Sequence, residues 1–273
     1  MPRVGLLGWP VAHSVSPAMH NAAFRALGMD DWAYDLLPAL PGELGRRITA
    51  LVENGHVGFN VTVPHKQAVL ALPLALRIMP EAAAIGAANT LIVQRGGALA
   101  AANTDAPGFL AELRAEGIDP AGMRCLVLGT GGAARAVAYA LRKSGARAIT
   151  FVSRTPDART GAIGYRELGD VAADLVVNCT PVGMHPGVDA SPWPADAPWP
   201  RGVPLVDLVY NPPVTCLMER AHAAGARAIG GLGMLVRQGA LSFEMWTGQA
   251  PPLDVMAEAA RAALEDDSSF TTE

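Results

Sequence analysis

A turn of glycines set between an apolar strand and an alanine-rich helix does most to limit what this chain can become. Residues 125–128 form an apolar run that predicts a buried strand, Gly129-Thr130-Gly131-Gly132-Ala133-Ala134 follows, and residues 133–144 predict a helix. Strand, glycine turn and helix in that order are the layout of a dinucleotide site. Gly129 allows the tight turn, Gly131 lets backbone approach a pyrophosphate, and the small Ala134 lets helix and strand pack closely. The N-terminus of such a helix offers unpaired N–H groups and the positive end of a dipole to phosphates. A glycine turn of this kind also serves as a plain tight turn, so the rest of the chain has to supply the chemistry.

Strands and helices alternate on both sides of that turn. Residues 3–7 predict a first strand, Ser16 an N-cap with Pro17 at the first helical position, and residues 17–27 a helix. Strands at 32–37 and 58–63 flank a helix at 41–53, and Pro64 is expected to stop the third strand and start a helix carrying Lys66. Residues 87–94 and 98–102 form a hairpin around Arg95-Gly96-Gly97, and Asn103-Thr104-Asp105 caps a helix at 106–116. Further on, apolar strands at 148–152, 175–179, 205–209 and 226–229 alternate with helices and predict a parallel sheet. The last helices are expected at 215–224, 234–247 and 253–264, with a frayed acidic tail at 265–273 and a surface loop at 181–204. The fold class is therefore α/β in two domains. Residues 1–103, with about 237–273 folding back on them, form one; residues 104–236 form a Rossmann-type second.

Composition narrows the partners. At 273 residues, 51% apolar and 17% charged, the chain can bury a sizeable core and is not a disordered segment. A net charge of −4 without a long basic run speaks against nucleic acid and anionic membrane as partners. No stretch of about 18 apolar residues occurs that could span a bilayer. Residues 4–12 are broken by Gly5, Gly8 and Pro10 and read as a strand and its loop, not a signal peptide. Three cysteines without a C-x-x-C pair read as reduced thiols in a cytoplasmic protein, and six scattered histidines give no metal-ligand spacing, so no metal is expected.

The strand after the glycine turn bears on which nucleotide is favoured, although an exposed arginine after a strand is also common. A NAD site usually places an acidic residue at the end of that strand to accept from the ribose 2′-OH. Here Ser153-Arg154-Thr155 stands in its place, and an arginine flanked by hydroxyls suits the 2′-phosphate of NADP(H). Arg159 could add to the same site, but it reads more readily as a solvated loop residue.

Outside the nucleotide unit, polar residues gather where loops leave strands. Asn60-Val61-Thr62-Val63-Pro64-His65-Lys66 is the densest such segment, and Asn89-Thr90 and Asn103-Thr104-Asp105 repeat the pairing of amide and hydroxyl after an apolar stretch. Each taken singly is also an ordinary turn or cap. Together they suggest hydrogen bonds to a polyhydroxylated ligand. His13 and His65 adjoin these segments and read as structural or peripheral.

The chain resembles the shikimate dehydrogenases over nearly its whole length. The resemblance rests on residues 8–17 (GWPVAHSVSP), 60–66 (NVTVPHK), 86–90 (GAANT), 103–105 (NTD), 129–135, 153–155, 178–184 (NCTPVGM), 207–212 (DLVYNP) and 231–235 (GLGML). It implies reduction of 3-dehydroshikimate to shikimate with NADPH in aromatic amino-acid biosynthesis. On matching positions it implies Lys66 and Asp105 as the catalytic pair and Ser14 and Ser16 as holders of the substrate carboxylate. Thr62, Asn89 and Gln238 would bind the ring oxygens, with Tyr210 near the carboxylate. Gly129 to Ala134, Ser153, Arg154, Thr155, Gly231 and Met234 would bind the cofactor, and Asp207 would be structural. Ser153 departs from the commoner asparagine, and the crossover at 156–177 is short for the family.

Two alternatives stay open at this stage: a quinate/shikimate dehydrogenase with relaxed cofactor use, and a non-catalytic NADPH-binding regulatory protein. Ser16 and Arg154 argue against the first, and intact Lys66 and Asp105 against the second. The expected partner is a small-molecule substrate, in a monomer or homodimer.

Overall fold

A computed structural model describes residues 1–157 and 161–269, so Arg159 lies outside the described residues, as does the end of the tail. The chain divides into two compact units, Met1–Gly108 with Val236–Glu273, and Phe109–Leu235.

The first unit begins with β1 (Arg3–Gly8), α1 (Ser16–Ala26), β2 (Ala33–Pro38), α2 (Leu44–Glu53) and β3 (His56–Val61). It continues through β4 (Leu76–Ile78), α3 (Pro80–Ile85), β5 (Thr90–Val93) and β6 (Leu99–Ala102) to the start of α4 (Asp105–Ala115). The six strands lie in the order β2-β1-β3-β5-β6-β4. β1 runs parallel to β2 and β3, whereas β5 is antiparallel to both β3 and β6. The hairpin turn between β5 and β6 contains Gly96 and Gly97, both at positive φ, where a side chain would be strained. Alternate strand residues such as Leu7, Phe59 and Leu91 meet Ile48 and Leu51 of α2 in one apolar core.

The second unit contains β7 (Arg124–Leu128), α5 (Gly132–Lys143), β8 (Ala148–Val152), β9 (Leu175–Asn178), β10 (Leu205–Asp207), α6 (Cys216–Ala223) and β11 (Ala228–Ile229). All five strands are parallel, in the order β11-β10-β9-β7-β8. The direction of winding reverses between β7 and β9, the position at which open parallel sheets bind ligands. Among the described residues no α-helix joins β8 to β9. Instead Ile163 pairs beside Val152 and a single 3-10 turn, Tyr165–Asp170, leads back to the sheet.

The helices α7 (Leu232–Thr247) and α8 (Leu253–Ser269) complete the order. Within the first unit α8 packs on α1, and a Cβ on Gly239 of α7 would come within 2.5 Å of Met19 Cε. Trp246 covers Gly58 of β3 and its indole N–H donates to Leu91 O at 3.0 Å. No helix of the described residues is long and apolar enough to cross a membrane.

Several local expectations are corrected. Ser16 is the first residue of α1 and not its cap: Val15 occupies the cap position, and Ser14 Oγ accepts from Ser16 N at 3.3 Å. Its hydroxyl closes the turn one step earlier than the proline alone suggests. Lys66 does not open a helix. His65 N donates to Thr62 O at 2.8 Å to form a turn, and only a short 3-10 helix, Ala68–Ala71, follows before Pro73 removes a donor. β4 and α3, too short for a periodic signal, were not anticipated. The loop at 181–204 is not confined to the surface: Trp193 and Trp199 are buried, with ring centroids 4.5 Å apart, in the core that includes Leu205 and Leu217. Their indole N–H groups donate to Ala197 O and Val203 O, so the loop satisfies its own donors while burying two large apolar faces. Finally, α8 runs on to Ser269, since no glycine or proline follows Leu264 to end it.

One buried group imposes a pH dependence. His20 of α1 is fully buried, stacked on Tyr34 at 4.3 Å with an interplanar angle of 2°, and burial lowers its pKa from 6.5 to about 3. The unfolded chain binds a proton at this residue below pH 6.5 and the folded chain does not, so stability falls as pH drops from 6.5 towards 3. His20→Phe is expected to lose roughly 2–3 kcal/mol less stability than the wild type between about pH 7 and pH 4.5 in denaturant unfolding. Equal losses in the two proteins would contradict a neutral, sequestered ring.

Candidate active site

In the first unit the predicted residues lie where the chain leaves β1, β3 and β6, between α3 and β5, and on α7. β3 ends at Val61, and the turn from Thr62 to His65 returns the chain so that Lys66 O accepts from Ala88 N at 2.8 Å. The buried His65 ring secures this turn through Nε2, 2.7 Å from Ala39 O, a structural role as anticipated. From the other side β6 delivers Asn103-Thr104-Asp105, with Asn103 Oδ1 accepting from Ala106 N at 3.1 Å and Asp105 heading α4. Lys66 Nζ donates to Asp105 Oδ2 at 2.7 Å; the side chains are 16% and 4% exposed. A desolvated pair of this kind has far more electrostatic influence on a neighbouring polar group than a surface pair would.

Asn89 orients the pair. Its Nδ2, which carries two hydrogens, has three acceptors within reach: Asp105 Oδ1 at 2.9 Å, Thr104 Oγ1 at 2.8 Å and Gln238 Oε1 at 3.1 Å. Both Asp105 oxygens therefore accept, one from Lys66 and one from Asn89, and Lys66 Nζ is the group of the pair with protons to give. Lys66, Asp105, Asn89 and Gln238 form one connected set. Ser14 and Ser16 form a second, their hydroxyls 3.1 Å apart at the entry to α1. Thr62 follows β3, half-buried, its N–H donating to Leu7 O at 2.8 Å. Ser242, which the sequence reading does not name, belongs to the same buried network as Asn89, together with Thr90 and Thr104 of the polar segments. The spacing of Ser242 four residues after Gln238, hence on the same helix face, was the available signal.

In the second unit the glycine turn lies at the reversal of strand order. Gly129 has φ 102°, and a Cβ there would meet Thr180 Cγ2 at 3.2 Å, so geometry demands glycine. Gly131 differs: its φ is −73° and a Cβ would meet nothing within 4 Å. Among the described residues nothing requires glycine at 131. The absence of a side chain there leaves the N-terminus of α5 open to the close approach of a phosphate. Ala134 is fully buried against the sheet, as its small size suggested, while Thr130, Gly132 and Ala133 remain partly exposed. Ser153, Arg154 and Thr155 follow β8, with Arg154 exposed and Thr155 N donating to Ser153 Oγ at 3.2 Å. These residues fit a phosphorylated nucleotide.

Five other residues of this unit differ in character. Gly231 is buried, and a Cβ would come within 2.3 Å of Leu208 O, so packing by itself accounts for that glycine; Met234 is buried one turn into α7. Tyr210 is half-buried beyond β10. Asp207, fully buried, has its carboxyl raised by burial against the opposing bonds from Thr215, Val209 N and Asn178. It ties β9, β10 and the cap of α6 together, which is a structural role. Burial also pushes the Cys125 thiol up to about 12, leaving an unreactive core side chain.

Comparison with known proteins accords with this geometry. Residues 6–91 match the shikimate dehydrogenase substrate binding domain, and residues 231–261 match the shikimate 5′-dehydrogenase C-terminal domain. The chain is 44% identical to a shikimate dehydrogenase (NADP(+)) of Methanopyrus kandleri, over 94% of this chain and 93% of that one. A shikimate 5-dehydrogenase of Thermus thermophilus, solved in complex with NADP(H) and shikimate, is 42% identical with a TM-score of 0.84, covering 96% of this chain and 100% of that one. The 5-ketofructose reductase of a Gluconobacter strain shares the architecture at 32% identity and a TM-score of 0.78, over 96% of this chain and 98% of its own. With a family match at both ends and this identity along nearly the whole length, the chain belongs to the shikimate dehydrogenase family.

Proposed function

We propose that the protein is an NADP-dependent shikimate dehydrogenase, catalysing the reversible reduction of 3-dehydroshikimate to shikimate in the biosynthesis of aromatic amino acids. The observation that carries this reading is the desolvated Lys66–Asp105 pair, aligned by Asn89 and Gln238. NADPH, when bound, supplies the hydride that the ketone carbon receives. Reduction of a ketone places negative charge on its oxygen, and the site must neutralise that charge. Lys66 Nζ presents both a positive charge and a proton for that oxygen, and Asp105 keeps the ammonium directed. In the reverse direction Lys66 accepts the hydroxyl proton.

Substrate recognition follows from the same elements. The paired hydroxyls of Ser14 and Ser16 are suited to a carboxylate, and Thr62, Asn89 and Gln238 to ring hydroxyls, with Tyr210 on the carboxylate side. Asn89 already uses its side-chain groups on protein partners, so a bound hydroxyl takes the place of one of them. The Gln238 contact, at 3.1 Å, is the longest of the three Nδ2 distances. We assign the unit of Met1–Gly108 with Val236–Glu273, which holds both Lys66 and Asp105, to substrate binding and catalysis, and Phe109–Leu235 to NADP(H). Gly129 to Ala134 would receive the pyrophosphate and Arg154 with Ser153 and Thr155 the 2′-phosphate, and Gly231 and Met234 would also contact the cofactor. Three cysteines without a C-x-x-C pair support a cytoplasmic setting.

Two measurements test these roles. Lys66→Ala is expected to lower kcat for shikimate oxidation by about 10²–10⁴ while NADPH binding, followed by fluorescence titration, is retained. Near-normal turnover would remove Lys66 from the mechanism. Arg154→Ala is expected to raise KM for NADPH by about 10–100-fold and leave that for NADH almost unchanged, the cost of losing charge-assisted bonds to one phosphate. Equal effects on the two nucleotides would refute recognition of the 2′-phosphate.

A further inference from the structure

Beside the Lys66–Asp105 pair lies a second tier of polar groups that bear no charge. Thr90 of β5, Thr104 before α4 and Ser242 of α7 are all fully buried. Their hydroxyl oxygens form a triangle, with Thr90–Ser242 at 2.8 Å, Thr104–Ser242 at 3.1 Å and Thr90–Thr104 at 3.2 Å. Asn60 joins the triangle by donating from Nδ2 to Ser242 Oγ at 2.9 Å, while its Oδ1 accepts from the Tyr34 hydroxyl at 2.9 Å. Valine and alanine would fill the same volumes without the cost of burying hydroxyls. The oxygens therefore call for an account beyond space-filling.

That account runs through Asn89. Its Oδ1 accepts from Thr104 N at 2.6 Å and from the Thr90 hydroxyl at 3.2 Å. A backbone N–H can only donate, so the carbonyl end of the amide is held on that side and Nδ2 is turned towards Asp105 Oδ1. Rotating the amide would set its NH₂ against a donor and its oxygen against a carboxylate oxygen. The Thr90 hydroxyl adds to this discrimination, and Ser242 supports Thr90 while also reaching Thr104, which accepts from Asn89. One orientation of Asn89 gives one orientation of the Asp105 carboxylate, which leaves Oδ2 for Lys66.

We infer that Thr90 and Ser242 are positioning residues for the catalytic pair, acting through Asn89. The inference rests on reading Lys66 and Asp105 as that pair. A purely structural role, tying α7 to the sheet, would lower stability and leave turnover intact once the protein is folded.

Isosteric variants separate the two. Thr90→Val keeps the shape and removes the hydroxyl, Thr90→Ser keeps the hydroxyl and removes a methyl, and Ser242→Ala removes the other hydroxyl with little change in volume. Each is assayed where it is fully folded, for kcat and for KM of shikimate and NADP⁺, alongside its thermal midpoint. Thr90→Val and Ser242→Ala are expected to lower kcat about 10-fold with KM for NADP⁺ unchanged, and Thr90→Ser to stay within about twofold of wild type. In crystals of Thr90→Val, or of Ser242→Ala should the valine variant not fold, the Lys66–Asp105 separation of 2.7 Å is expected to lengthen beyond hydrogen-bonding range. Wild-type kcat in Thr90→Val with only a lowered midpoint overturns the inference, as does equal slowing in Thr90→Ser. Should the wild type itself fail to oxidise shikimate, the functional reading falls and the crystals still decide: an unchanged separation overturns the positioning role and a lengthened one supports it.

Discussion

Asn89 is the residue on which the arrangement of the first unit turns. One side-chain amide, 2% exposed, joins the end of the antiparallel hairpin, the start of α4, the middle of α7 and the Lys66–Asp105 pair. In a core otherwise built from leucine, valine and phenylalanine, such a network is favourable only when its groups are matched, because an orphaned buried donor or acceptor costs about 1–3 kcal/mol. The geometry that brings α7 back to the sheet is thus the same geometry that sets the carboxylate against the ammonium. Packing and chemistry share their atoms here.

The second unit meets its requirement by different means. Its glycines are of two kinds: Gly129 and Gly231 are demanded by backbone geometry or by packing, and Gly131 by neither. Space left unfilled at the N-terminus of α5, beside the reversal of strand order, is what the phosphates of a dinucleotide require. The nucleotide site is thus defined largely by missing side chains, whereas the first unit's site is defined by polar ones.

Much of this was legible in the residues. The alternation of apolar strands and helices, the glycine turn and the hairpin at Gly96-Gly97 follow from local periodicity and turn chemistry, and they appear close to where the pattern places them. The resemblance brought Lys66, Asp105, Asn89 and Gln238 together, although they are scattered along the chain. Local rules failed where long-range contacts decide. Lys66 was assigned to a helix start because a proline precedes it, whereas a turn closed by Thr62 and His65 holds it. Ser242 escapes the sequence reading because a serine four residues from Gln238 on a helix is a weak signal until its oxygen is seen to meet those of Thr90 and Thr104. Two tryptophans among prolines suggested a surface segment, because sequence cannot reveal that the loop folds inward.

That loop limits how this protein can diverge. Connections between strands ordinarily drift in length and composition with little penalty, since few contacts depend on them. Between Trp193 and Trp199 this freedom is lost: the two rings complete the core beneath β10, and Arg220 of α6 donates to the carbonyls of Ala195 and Ala197. An insertion between the tryptophans would withdraw part of the hydrophobic interior along with the turn. The stretch from Trp193 to Trp199 is thus held to its length by the interior it fills.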